Sequence, residues 1–410
     1  MRPSTLFLPA ILLACFSMPA QEGPAKVNLP PATLAGEISG ERVSNADKQG
    51  DWPAISYARD GSLWAIWVEW NDKDADRVLV RRRDPGGKWG AQIAIEDGNW
   101  DHYSPAIVPA GSGVMAIWSG QANGNFDLFA TTIGSDGKFP KPQRLTTAPF
   151  SDFNARAAAD SNGNVTVVWQ SFRNGNGDIF ARRYSGGKWG AETRVSTSTS
   201  DDWEPAVALD RKGVAWISWD GYQTGNYDVY LRSFDGSKLG NVVAMTTEPA
   251  AQFHTTVAVD PQDRVWVAWD EADQNWGKDF SKVSAAPGSR GLHFSRKLGI
   301  RVYANGRVED PSGNLPAILT GRMQRYAELP QLMFDGSGAL CMVFRHWALT
   351  QPAEIYYFYA TRLSGDKWSV PAEIHQQLRT QHATRGSGRQ PGWRDSRRVC
   401  QRRPRPRRDA

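Results

Sequence analysis

The chain has 410 residues, with 48 Lys+Arg against 43 Asp+Glu and a net charge of +5. Eleven of the arginines and two of the aspartates fall within residues 376–410, so the rest carries 37 basic against 41 acidic side chains and is mildly acidic. A nucleic-acid partner would need a basic face in the folded part, and this balance argues against one.

The first residues lead into the apolar run Leu6 to Ala14, too short to span a bilayer as a helix and readable as an export signal. It ends Leu12-Leu13-Ala14-Cys15, which resembles the bacterial lipobox and makes Cys15 the lipidation candidate. Ordinary cleavage after Ala20 is the alternative, with Met18 large for the position three before the cut. Residues 1–20 are read as the signal peptide, with Cys15 the first mature residue if the lipobox is used. The protein is then exported: periplasmic, extracellular, or held at a membrane only through a lipid anchor. Residues 21–44 read as a linker. The remaining cysteines, Cys341 and Cys400, give no disulfide framework.

From residue 45 to 375 one pattern recurs. Trp67, Trp118, Trp169, Trp219 and Trp269 end similar apolar segments at spacings of 51, 51, 50 and 50 residues, and Phe344 takes the same place in the next period. A strand-rich period near fifty predicts an all-β chain: a β-propeller of four-stranded blades, with six legible repeats and a seventh hidden. In the clearest period the strands are expected at Pro205 to Leu209, Val214 to Trp219, Tyr227 to Phe234 and Asn241 to Met245, separated by Gly- and Asp-bearing turns. The anchor tryptophans read as packing between neighbouring sheets.

Two motifs repeat with the period. Asp160, Asp210, Asp260 and Asp335 each open a turn between the first two strands. The turns resemble the Asp-box of sialidase-type propellers but carry one extra residue between Asp and Gly and lack its serine. These aspartates are expected to close their own turns through backbone N–H groups. Lying on separate blades, they make no shared calcium cage. The second motif is Gly-Asn-x-Asp at Gly124, Gly175 and Gly225. Near-identity in each period marks both motifs as structural, and no cofactor or metal motif is present.

Function is therefore sought where the repeat breaks. The fifth period is about 25 residues longer, because Phe344 follows Trp269 by 75. Its insertion places Asp270, Trp276, Lys278, Asp279 and His293 on the face where the inter-blade loops open, as a ligand-binding lid over the axis or, alternatively, as a structural or inter-domain contact. Those loops set a ring beside a polar group in each period: Trp52, Tyr103, Phe153, Trp203, Phe253 with His254, and Tyr326 with Glu328. Rings next to carboxylates and amides suit a glycan, whose C–H faces stack while its hydroxyls hydrogen-bond. The predicted ligand-binding set is Trp276, Asp270, Lys278, Asp279, His293, Trp203, Tyr103 and His254. The alternative for any one ring is a wedge between blades.

With Asp270 to Phe280 in the form DEADQNWGKDF, the periods resemble the amino-terminal propeller of large exported bacterial proteins. Those proteins continue into a domain similar to the PHP-type metal-dependent hydrolases. The resemblance implies a recognition module for such an enzyme. No residue here corresponds to its metal ligands. Residues 376–410, rich in Arg and Pro, read as a disordered, out-of-frame tail that replaces a further blade. The leading function is a non-catalytic propeller that binds a glycan or a partner domain. A sialidase-type hydrolase is the rival, and would need an arginine cluster, a Tyr/Glu pair and an acidic proton donor.

Overall fold

A computed structural model describes residues 41–45, 48–70, 76–96, 101–122, 124–273, 295–350 and 353–374. Six antiparallel sheets follow one another along the chain, each built on four successive strands. Blade 1 comprises Gln49–Tyr57, Leu63–Trp70, Arg77–Arg83 and Trp89–Glu96. Blade 2 is His102–Ala110, Gly113–Ala122, Asn125–Ile133 and Gln143–Arg144. Blade 3 is Asp152–Ala159, Val165–Ser171, Asp178–Ser185 and a split outer strand, Lys188–Trp189 with Thr193–Arg194. Blade 4 is Asp202–Leu209, Ala215–Gly221, Asp228–Phe234 and Val243–Ala244. Blade 5 is Ala251–Val259, Val265–Ala272, Lys297–Ala304 and Arg307–Glu309. Blade 6 is Ala327–Phe334, Leu340–Thr350, Ala353–Ser364, and the split outer strand Lys367–Trp368 with Ala372–Ile374. First strands of consecutive blades pack side by side around the axis. The predicted propeller is therefore present, with six blades.

Burial alternates as a sheet packed on both faces requires. In blade 4, Ala215, Ile217 and Trp219 join Val168, Ile179 and Val195 of blade 3. Trp216, between them in sequence, points the other way and packs with Val257 and Val267 of blade 5. Trp118, Trp169 and Trp219 are fully buried, as their packing role predicts. Trp169 and Trp219 also donate their indole N–H to Asp152 (3.1 Å) and Asp202 (3.0 Å), so each ring satisfies its polar atom inside the core.

The repeated turns do what their sequence implies. Asp160 Oδ1 accepts the N–H groups of Asn162 and Asn164, both at 2.9 Å, and Asp210, Asp260 and Asp335 accept the matching pairs in their blades. In the second motif Asn176 Nδ2 donates to the Ser200 carbonyl (2.9 Å) and Asn226 Nδ2 to that of Ala250 (2.5 Å), tying the hairpin to the approach of the next blade.

The first strands begin earlier than the sequence suggests, at Asp202 rather than Pro205 in blade 4. A bulge explains it. Trp52, Ser104, Asn154, Glu204, His254 and Leu329 each have φ between 45° and 57°, and in each blade the register shifts at that residue. The extra residue carries the chain past a proline in four blades, where no ladder N–H is available. It also turns one side chain per blade toward the mouth of the axis.

Candidate functional site at the mouth of the axis

Two positions per blade build this mouth: the bulge residue, and the residue after the anchor ring. The second is Val68, Ser119, Gln170, Asp220, Asp270 and Arg345 in blades 1 to 6. Asp220 pairs with Trp203 across its own blade, and Asp270 with Phe253. Each also reaches into the following blade. Gln170 accepts the N–H of Glu204 (3.4 Å), Asp220 that of His254 (3.2 Å) and Asp270 that of Leu329 (3.4 Å). The framework is constant, while its side chains differ from blade to blade.

From blade 4 to blade 6 these positions hold charge. Asp270, fully buried, receives His254 Nδ1 at 3.0 Å and Arg296 Nη1 at 2.5 Å. The other ring nitrogen of His254 lies 3.6 Å from Glu204. Arg296 also stands 3.9 Å from Glu328, which receives Arg345 Nε at 2.8 Å. Arg296 lies over the Phe253 ring and Arg345 over the Tyr356 ring, each at 4.1 Å from the centroid. The Tyr356 phenol is close enough to Glu328 to feel its charge.

Low dielectric and neighbouring charge set the protonation here. Burial works against an imidazolium at His254, but the carboxylates of Asp270 and Glu204 outweigh it and raise its pKa to about 9. Burial, with the Glu204 charge beside it, pushes Asp220 well above the usual carboxylate range. Burial and Glu328 push the Tyr356 phenol up as well.

Blades 1 to 4 line the opposite side with rings. Trp52 meets Tyr103 at 4.4 Å between centroids, Tyr103 meets Phe153 at 6.1 Å, Phe153 meets Phe172 at 5.5 Å and Phe172 meets Trp203 at 5.7 Å. Phe153 is buried and the other four are half-buried, so the arc presents ring surface to a ligand.

Of the residues singled out by sequence, Tyr103 and Trp203 lie in the aromatic arc, and His254 and Asp270 at the centre of the charged cluster. Trp276, Lys278, Asp279 and His293 lie outside the described residues, as do Cys15 and the tail. The two ends of the fifth-period insertion, Asp270 and Arg296, meet in this cluster. Phe253 does not extend the arc; it packs under Arg296 and against Tyr227. Sequence reasoning placed Glu328 in an inter-blade loop without its partners, and missed Glu204 as a partner of His254, and Arg296, Arg345 and Tyr356 altogether. The variation after each anchor ring, from Val68 to Arg345 in a frame that otherwise repeats, was the signal. Two shallow hollows lie elsewhere, of about 310 Å³ beside Arg301 and Val308 and about 280 Å³ beside Trp64 and Trp89.

No protein family and no curated protein sequence matches the chain. Solved structures do match in shape. A polysaccharide lyase of family PL25, an ulvan lyase bound to -[GlcA(1-4)Rha3S]-, superposes with a TM-score of 0.53 at 12% identity, over 80% of this chain and 84% of that one. The NanB sialidase of Streptococcus pneumoniae gives a TM-score of 0.47 at 10% identity over 80% of this chain and 68% of that one. The Penicillium chrysogenum alpha-L-arabinanase, complexed with arabinobiose, gives 0.47 at 12% identity over 79% and 93%. The lyase supports the propeller fold; at this identity the likeness is one of fold.

Proposed function

We propose that the chain is an exported recognition module that binds a glycan at the mouth of the axis. One observation carries the reading: a continuous aromatic arc faces a buried ionic cluster across the same opening. A sugar uses both surfaces, stacking its C–H faces on Trp52, Tyr103 and Trp203 while its hydroxyls meet the partly exposed Glu204 and His254. His254 and the guanidinium groups are already paired with carboxylates, so an acidic sugar would be met by Lys278 of the insertion. The saccharide carried by the lyase of similar fold is consistent with this chemistry. In this proposal the fifth-period insertion contributes Trp276 as a stacking platform, with Lys278, Asp279 and His293 as polar contacts. The test is a panel of immobilised neutral, uronic and sialic oligosaccharides probed with the full chain. Retention of acidic glycans by the parent, lost in a folded Trp203→Ala or Trp276→Ala protein, supports the reading. Absence of retention, or retention unchanged in both variants, overturns it.

A catalytic second reading rests on blade 6. Tyr356 and Glu328 interact beside Arg345 and Arg296, which would supply the Tyr/Glu pair and cations that a sialidase-type hydrolase needs. Glu328 would take the phenol proton as Tyr356 attacks the anomeric carbon and the bond to the aryloxide breaks; the aryloxide leaves as the stable anion, and water, giving its proton to the phenolate leaving group, then releases the sugar and restores Tyr356. Release of fluorophore from an aryl sialoside, abolished by Tyr356→Phe, is the expected result. A parent protein with no release above buffer would sink this reading and leave the binding reading standing.

A further inference from the structure

Each pair of consecutive blades shares an apolar cluster, from blades 1 and 2 through to blades 5 and 6. Among the described residues no such cluster joins blade 6 to blade 1, and both facing sheets leave apolar side chains in solvent. On blade 1, Ile55 and Tyr57 are 68% and 66% exposed. Their counterparts in blade 4, Val207 and Leu209, pack against blade 3. On blade 6, Met333 and Phe358 are 50% and 40% exposed, whereas the matching Ala208 and Val229 of blade 4 pack toward blade 5. The second strand of blade 6 shows the same asymmetry. Leu340, Met342 and Phe344 are buried and Cys341, Val343 and Arg345 only half-buried, while the second strand of blade 3 is buried on both faces.

The segment before blade 1 shows what belongs in the space. In blades 3, 4 and 5 a third-strand arginine donates to the carbonyl at the end of the preceding blade's outer strand. These contacts are Arg182 to Leu145, Arg232 to Val195 (2.6 Å) and Arg301 to Met245 (2.6 Å). Arg81 occupies the same position in blade 1 and donates to the carbonyl of Val43 at 2.8 Å. Val43 packs on Trp67 and Leu79, as Val195 packs with Trp219 and Tyr230. Arg42-Val43-Ser44 also repeats Arg194-Val195-Ser196. Residues 41–44, assigned to the linker by sequence, thus stand where the outer strand of a preceding blade would end. At the other side, Ile374 pairs with Phe358 and marks the point where each earlier blade hands over to the next.

We propose that the space between blade 6 and blade 1 seats a seventh blade. Its outer strand ends at Val43, and the rest of the seat takes a three-stranded propeller sheet of the kind that opens each other blade. Three strands are required because Val43 already fills the fourth place, and the exposed faces of Ile55, Tyr57, Met333 and Phe358 are the two surfaces such a sheet would cover.

Two experiments test this. With Cys15 and Cys400 replaced by serine, Cys341 on the open face of blade 6 is the single thiol. Residues 375–410 are then exchanged for a copy of residues 196–234, the link and first three strands of blade 4. The exchange is expected to slow Cys341 alkylation by tenfold or more and to raise Tm. Unchanged alkylation and Tm in a folded exchange variant overturn the proposal. So does concentration-dependent protection in the parent, which would mean that a second copy covers the face. The second experiment needs no new blade. Packed sheets lie about 10 Å apart, so a seat for one sheet holds residues 55 and 341 well beyond the roughly 7 Å that a disulfide spans. In Ile55→Cys, oxidation should give no intramolecular disulfide with Cys341, while a long bis-maleimide should link them. Rapid disulfide formation in the monomer would show six blades closing on themselves, and would end the idea.

Discussion

The two sides of the axis mouth are built on the same backbone device and answer to different physics. Between blades 1 and 4 the bulge and its neighbour present Trp52, Tyr103, Phe153 and Trp203, and cohesion comes from rings in contact. Between blades 4 and 6 the bulge, its neighbour and the residue after the anchor ring present Glu204, Asp220, His254, Asp270, Glu328 and Arg345, and the charges buried among them are paired. The repeat fixes where side chains project. Which chemistry projects there is free to vary, because backbone hydrogen bonds already hold the blades.

The sharpest way to break that contrast is to remove the carboxylate at the centre of the ionic side. Asp270→Ala leaves Arg296 and His254 buried without their shared partner and should cost about 3–5 kcal/mol in urea unfolding. A loss below about 1 kcal/mol would mean that water or another group replaces the carboxylate. On the aromatic side, Trp203→Ala removes a half-buried ring with one ring neighbour and should cost nearer 1 kcal/mol, while abolishing any glycan retention. Equal destabilisation by the two variants would erase the distinction.

The two sides should also differ in pH response. His254 has its pKa raised to about 9 from the usual 6.5 by Asp270 and Glu204 against the burial penalty. Its contribution is complete below pH 6.5 and is lost as pH rises toward 9. His102, beside Tyr103, is held at about 4 by burial, and neither ring nitrogen has a hydrogen-bond partner among the described residues. Its contribution is present above pH 6.5 and is lost as pH falls toward 4. Urea midpoints measured from pH 4 to 9 should therefore fall at both ends. His254→Asn should flatten the alkaline limb and His102→Asn the acid one; a limb that survives its own variant assigns it to another group. The smallest effect is expected far from the mouth, at the exposed Arg211–Asp263 pair. Arg211→Ala should leave Tm unchanged within error.

Period, anchor rings and Asp turns were legible because each is local. A turn aspartate bonds N–H groups two and four residues ahead, and an anchor ring packs wherever its sheet is placed, so neither needs knowledge of distant chain. Tyr103, Trp203, His254 and Asp270 were found as candidates by asking where the repeat breaks. The associations among them were not legible. Asp270 meets Leu329 across 59 residues and Arg296 across 26, and Glu328 meets Arg345 across 17. Period and strand content by themselves determined that this chain winds into blades, since alternation of buried residues every second position leaves no other way to cover both faces. Only the tertiary structure decided which charges share one buried cluster and which sheet faces stay open, because both depend on the rotation from each blade to the next.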